Sequence, residues 1–127
     1  MSYGYTKKLD LSFTDAVERT KEGLQKEGFG VLTEIDLKAT LKKKIDVDFD
    51  NYIILGACNP LLAHKALQAE KEIGLLLPCN VIIYEDAGSI FVSAILPSVA
   101  MGMVENADLP EIAKEVEDKL KRVIDNI

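Results

Sequence analysis

The stretch Tyr52-Ile53-Ile54-Leu55-Gly56-Ala57-Cys58-Asn59-Pro60 decides the fold. Residues 52–57 are a compact apolar run with strand-forming side chains, which predicts an interior β-strand. Asn59 offers a side-chain oxygen to the free amides of a helix start. Pro60 fits the first helical turn, where no amide hydrogen bond is needed. A helix is therefore expected from Pro60 to about Glu72, with Gly74 ending it.

Toward the C-terminus, Val81 to Tyr84 and Ile90 to Leu96 read as two strands. The short link Glu85-Asp86-Ala87-Gly88-Ser89 implies an antiparallel hairpin. Met101-Gly102-Met103 falls in an irregular link. Asp108, with Glu111 three positions later, predicts the start of a last helix. Leu109, Ile112, Ala113, Val116, Leu120, Val123, Ile124 and Ile127 give that helix an apolar stripe. Its polar face is mixed and mostly acidic, so packing on a sheet suits it better than a membrane surface.

Toward the N-terminus, Tyr3 to Leu9 reads as an opening strand. Ser12 and Asp15 form a capping-box pattern for a helix that carries Phe13, Ala16, Val17, Thr20 and Leu24 on one side. Gly28 and Gly30 end it. Val31 to Ile35 is the next strand, Asp36 the cap of a short helix, and Asp46 to Asp50 a loop. About five strands with four helices predict an α+β fold: a two-layer α/β sandwich, a mixed sheet of about five strands covered by helices. Residues 1–127 are expected to form a single domain, the size that 127 residues suit.

Fifteen Lys and Arg against 21 Asp and Glu give a charge of −6, which argues against nucleic acid as a partner. The Lys42-Lys43-Lys44 run reads as a solvated face. The most apolar stretch, Ile73 to Tyr84, is interrupted by Pro78 and Asn80 and is far below the ~20 residues of a spanning helix, so no membrane partner is expected. Residues 1–10 carry no apolar core of the signal-peptide type. With only Cys58 and Cys79 in a chain that needs no disulfide to fold, free thiols and a cytoplasmic address are expected.

Two Cys-Asn pairs, Cys58-Asn59 and Cys79-Asn80, stand at the edges of apolar segments. Cys58 precedes a helix, where free amides lower a thiol pKa. The bland reading of each pair is a small buried thiol beside a capping amide. The sharper reading is a shared pocket made by Glu34, Cys58, Asn59, Cys79 and Asn80. In Val31-Leu32-Thr33-Glu34-Ile35-Asp36, alternation places Leu32 with Glu34 on one face. Glu34 then faces either solvent or a cleft beside Asn59 or Asn80.

The chemistry of Cys58, His64 and Cys79 suits zinc or copper, but their spacing matches no zinc-ribbon or zinc-finger pattern. His64 also lies roughly 150° from the helix face centred near Leu62, Ala66 and Ile73, so no metal is assigned. The same position disfavours a Cys-His nucleophilic pair. No Cys-x-x-Cys, dinucleotide fingerprint or P-loop is present, and the motifs name no cofactor. Met101 and Met103 either line a small apolar pocket or pack ordinarily.

Three segments carry a family resemblance. Gly28-Phe-Gly-Val-Leu-Thr-Glu-Ile-Asp-Leu-Lys-Ala-Thr-Leu-Lys42 resembles the first signature of the DUF302 family, a domain of unknown function. Tyr52-Ile-Ile-Leu-Gly-Ala-Cys-Asn-Pro-Leu-Leu-Ala-His-Lys-Ala-Leu67 resembles the central one, and Gly74-Leu-Leu-Leu-Pro-Cys-Asn-Val81 the third. The resemblance covers essentially the whole chain. It implies a small two-layer α/β protein and a homodimer, and it transfers no activity. Glu34, Cys58, Asn59, Pro60, Cys79 and Asn80 fall within these signatures without an assigned role.

The leading expectation is a non-enzymatic module that binds a small ligand or a protein and acts as a homodimer. A thiol-dependent redox or metal-linked protein using Cys58 and Cys79 is the alternative. A purely structural interaction protein is the third reading.

Overall fold

The computed structural model describes residues 2–127. The strands are β1 (Gly4–Leu9), β2 (Gly30–Asp36), β3 (Tyr52–Cys58), β4 (Cys79–Asp86) and β5 (Ser89–Ile95). The helices are α1 (Phe13–Lys26), α2 (Leu37–Ile45), α3 (Pro60–Ala69), α4 (Pro97–Ala100) and α5 (Leu109–Asp125), with 3₁₀ segments at Lys71–Leu76 and Met101–Met103. The helix expected to reach Glu72 thus ends at Ala69; Glu70 is extended, and the first of these segments follows it.

The strands form one sheet in the order β1-β5-β4-β3-β2. The α+β two-layer plan and the five strands agree with the sequence reading. Strand direction is more uniform than the expected mixed sheet, because all four neighbouring pairs are antiparallel. The physical reason lies in the connections. A parallel neighbour needs a crossover over the sheet. The helix that crosses, α1, joins β1 and β2, which share a direction but occupy opposite edges. Ala87 and Gly88, both at positive φ, turn the β4–β5 hairpin as a tight two-residue loop.

Apolar periodicity explains the helical layer. α1 buries Ala16, Val17, Thr20 and Leu24. α5 buries Leu109, Ala113, Val116, Leu120, Val123 and Ile124. They cover one sheet face, where Leu55, Val81, Ile83 and Val92 are fully buried. A second cluster of Ala66, Ile73, Met101, Leu109 and Ala113 packs α3, the 3₁₀ segments and the start of α5.

The caps follow the sequence with one exception. Ser12 accepts from the Asp15 amide, Asp36 from the Ala39 amide and Asn59 from the Leu62 amide. At α5 the Asp108 side chain makes no capping bond; Asn106 instead accepts from the Asp108 amide at 3.0 Å.

The simple alternation expected along residues 31–36 is broken by an irregularity between Val31 and Thr33. Val31 pairs with Ala57 and Glu34 with Leu55, both helix-side positions. Thr33 pairs with Gly56 and Ile35 with Ile54 on the opposite face. An extra residue in one strand shifts every later side chain to the other side. Among the described residues, no helix is long and apolar enough to cross a membrane.

Candidate functional site

The two Cys-Asn segments meet because β3 ends where its antiparallel neighbour β4 begins. Ala57 is the cross-strand partner of Cys79, and Gly56 of Asn80. Cys58 is therefore one position out of step with Cys79, and side chains alternate across a sheet. A direct bond between the two sulfurs runs against this register, and both cysteines are free.

Cys79 is buried, while Cys58 is half-buried. Burial pushes the Cys58 thiol up from its ordinary value. Cys79 is pushed up to about 11, chiefly by burial and secondarily by the neighbouring Cys58. Loss of water thus opposes any thiolate-favouring field of the α3 start. Both groups are protonated at neutral pH, the wrong state for a nucleophile or a redox thiolate.

Asn59 is committed to the fold. Its oxygen caps α3, and its Nδ2 donates to the Glu27 carbonyl at 3.4 Å, tying α3 to the end of α1. Glu34 lies on the helix side of β2, where Lys21 of α1 donates to it at 2.6 Å. That ion pair is half-exposed, and Glu34 lies outside the two cavities that the Cys-Asn segments border. His64 is exposed on α3. Among the described residues, no group of three or more His, Cys, Asp or Glu could hold a metal ion.

Two cavities border the paired segments. The inner one is lined by Phe29, Cys58, Asn59, Leu62, Cys79 and Met101, among others, and has a volume of about 20 Å³. That is room for about one water, in apolar surroundings that give a water few partners. The outer cleft, about 240 Å³, runs between the Lys71–Leu76 segment, the start of β4 and α4. Leu77, Pro78, Cys79, Pro97, Ala100 and Met101 help line it, and Asn80 supplies an exposed amide. Of the residues singled out in the sequence, Cys79 and Asn80 share this cleft; Cys58 and Asn59 share the inner cavity with Cys79.

Several lining residues carried little signal of their own. Met101 did, as a soft side chain beside a glycine, and it borders both cavities; Met103 is exposed. Leu77, Pro78, Pro97 and Ala100 are ordinary in sequence. Only the fold, which places α4 across the cleft from the start of β4, gathers them.

The raised Cys79 pKa has a consequence for stability. The unfolded thiol titrates near 9, while the folded one holds its proton to about 11. Stability from this group is complete below about pH 9. It is lost as pH rises toward 11, because the unfolded state releases its proton first. Thermal melts should show wild type losing on the order of 2 kcal/mol more than Cys79→Ala across this window. Parallel pH profiles for the two proteins would contradict the assignment.

A helix-covered antiparallel sheet with a small apolar cleft and two protonated thiols defines a compact α+β domain. It matches the family described as "Domain of unknown function DUF302" over residues 5–127, and the chain belongs to that family. The crystal structure of an uncharacterized conserved DUF302 protein from Bacillus stearothermophilus is similar at 31% identity and a TM-score of 0.93, with 98% of each chain covered. No curated protein matches the chain.

Proposed function

We propose that this chain is a single, non-enzymatic binding domain for a small, largely apolar ligand, working as a homodimer in the cytoplasm. The observation that carries the reading is the outer cleft at Cys79–Asn80, with its mostly aliphatic walls and one exposed amide. Its volume of about 240 Å³ is just under the ~300 Å³ lower end of ordinary small-molecule sites, which favours a small occupant. Aliphatic surface supplies the affinity, and the Asn80 amide supplies N–H donors and a carbonyl acceptor for orientation. Two free thiols accord with a reducing compartment. Thiol chemistry is the weaker reading, since burial raises both groups.

The test uses a neutral aliphatic probe, 1-hexanol, in a thermal-shift titration. Wild type should be stabilised in a saturable way. Ala100→Phe, which fills the cleft, should abolish the response while melting cooperatively. An unresponsive wild type, or an equal response in both proteins, overturns the reading.

A further inference from the structure

Antiparallel sheets with helices on one side usually turn polar residues toward water on the other. This sheet does so only in part: Thr6, Lys8, Thr33, Asn80, Asp86, Ser89 and Ser93 share that face with large apolar residues. Opposite the helical layer, Ile35, Tyr52, Ile54, Ile82, Tyr84 and Phe91 form one connected block across four strands. Ile35 pairs with Ile54, Ile54 with Ile82, Tyr52 with Tyr84, and Tyr84 with Phe91. The rings of Tyr52, Tyr84 and Phe91 stack in a row at 5.6 and 5.2 Å between centroids. Phe49, nearly half-exposed, extends the row beyond the sheet at 6.2 Å from Tyr52. None of the six residues belongs to either buried cluster.

From this arrangement we infer that the open sheet face is the homodimer interface. Two copies stack face to face, making a four-layer α-β-β-α particle with the helices outside. The inference rests on the homodimer reading above and names the surface that makes it.

Area and charge identify the occupant as a second copy. Five strands at ~4.8 Å spacing and roughly seven residues at ~3.3 Å rise give a face of about 24 by 23 Å, or roughly 550 Å². Two such faces bury roughly 1,100 Å², just above the ~1,000 Å² that a specific interface needs and below the ~1,600 Å² standard. The block itself is uncharged. Its rim carries Lys8, opposite Phe91, and Asp86, opposite Ser89. A rim of both signs meets its own two-fold image without accumulating like charge. Two such sheets pack ~10 Å apart with strand directions within about 30°. The modest area makes a dimer that dissociates on dilution.

Light scattering with size-exclusion chromatography across a dilution series tests this on wild type, Phe91→Arg and, as a helix-side control, Glu22→Arg. Wild type and Glu22→Arg should be dimers that dissociate together on dilution, and Phe91→Arg should need at least a tenfold higher concentration to dimerise. A wild type that is monomeric throughout sinks the homodimer reading itself. A dimeric Phe91→Arg leaves the homodimer standing and overturns this interface. If Phe91→Arg does not fold, hydroxyl-radical footprinting of wild type decides. Tyr52 and Tyr84 should lose reactivity as the dimer forms, and unchanged reactivity overturns the interface.

Discussion

Ile83→Ala is expected to cost about 3 kcal/mol of folding stability, a drop in Tm of roughly 10 °C. Ile82→Ala, one residue earlier, should cost the monomer less than about 1 kcal/mol. The chemistry of the two changes is the same; the faces differ. Ile83 is fully buried against the helical layer with Leu55, Val81 and Val92. Truncating it removes methylenes from close-packed surroundings and leaves a cavity. Ile82 lies on the open face, beside Ile54 and Ser93, and keeps part of its surface in water.

Urea unfolding at low protein concentration, where dimer contributes little, measures the monomer term for both variants. At high concentration, association adds stability to the folded state by mass action. The Ile82 variant should gain less from that rise than wild type if the open face is buried between copies. Equal losses for the two variants at low concentration would mean that the sheet has no distinct inner and outer faces.

The same pair of residues shows how far the sequence could be read. Val81-Ile82-Ile83-Tyr84 is apolar at every position, so it announces a strand and conceals which side faces the helices. The stripes of α1 and α5 were legible because charged residues alternate with apolar ones at helical period. Asn59 and Asp36 were legible as caps because each stands just before a helical pattern. The start of α5 differs, since Asp108 makes no side-chain capping bond and Asn106 instead accepts from the Asp108 amide.

Tertiary register governed what stayed hidden at the site. The Cys-Asn pairs could be singled out, but their adjacency depends on Ala57 meeting Cys79 across β3 and β4. Glu34 looked free for a cleft because Lys21, its ion-pair partner, belongs to a different element. The thiol reading is weakened by solvation. A helix start lowers a thiol pKa only where the thiolate keeps enough water or donors, and burial raises both thiols here.

Gly56→Ala should destabilise the protein by about 2 kcal/mol, although glycine inside a strand is ordinarily the weaker choice. Without a steric obstacle, alanine would restrict the unfolded chain and stabilise by roughly 0.5–1 kcal/mol. At Gly56, an added β-carbon would occupy the space of the Thr33 side chain and lie 2.8 Å from Pro78 Cγ. The irregularity between Val31 and Thr33 brings Thr33 opposite Gly56. Pro78 is a rigid ring and a wall of the outer cleft, so it cannot rotate away as a flexible side chain could.

Combining the change with Thr33→Ala removes the nearest obstacle and leaves the proline. The double variant should therefore recover about half of the loss, a coupling of roughly 1 kcal/mol between neighbouring sites. Urea denaturation of wild type, both single variants and the double variant measures that coupling. The sign of the Gly56→Ala effect decides the matter. A more stable variant would mean that the β2–β3–β4 approach is looser than the contacts among Thr33, Gly56 and Pro78 require. A loss with no recovery in the Thr33→Ala background would place the whole obstacle at Pro78.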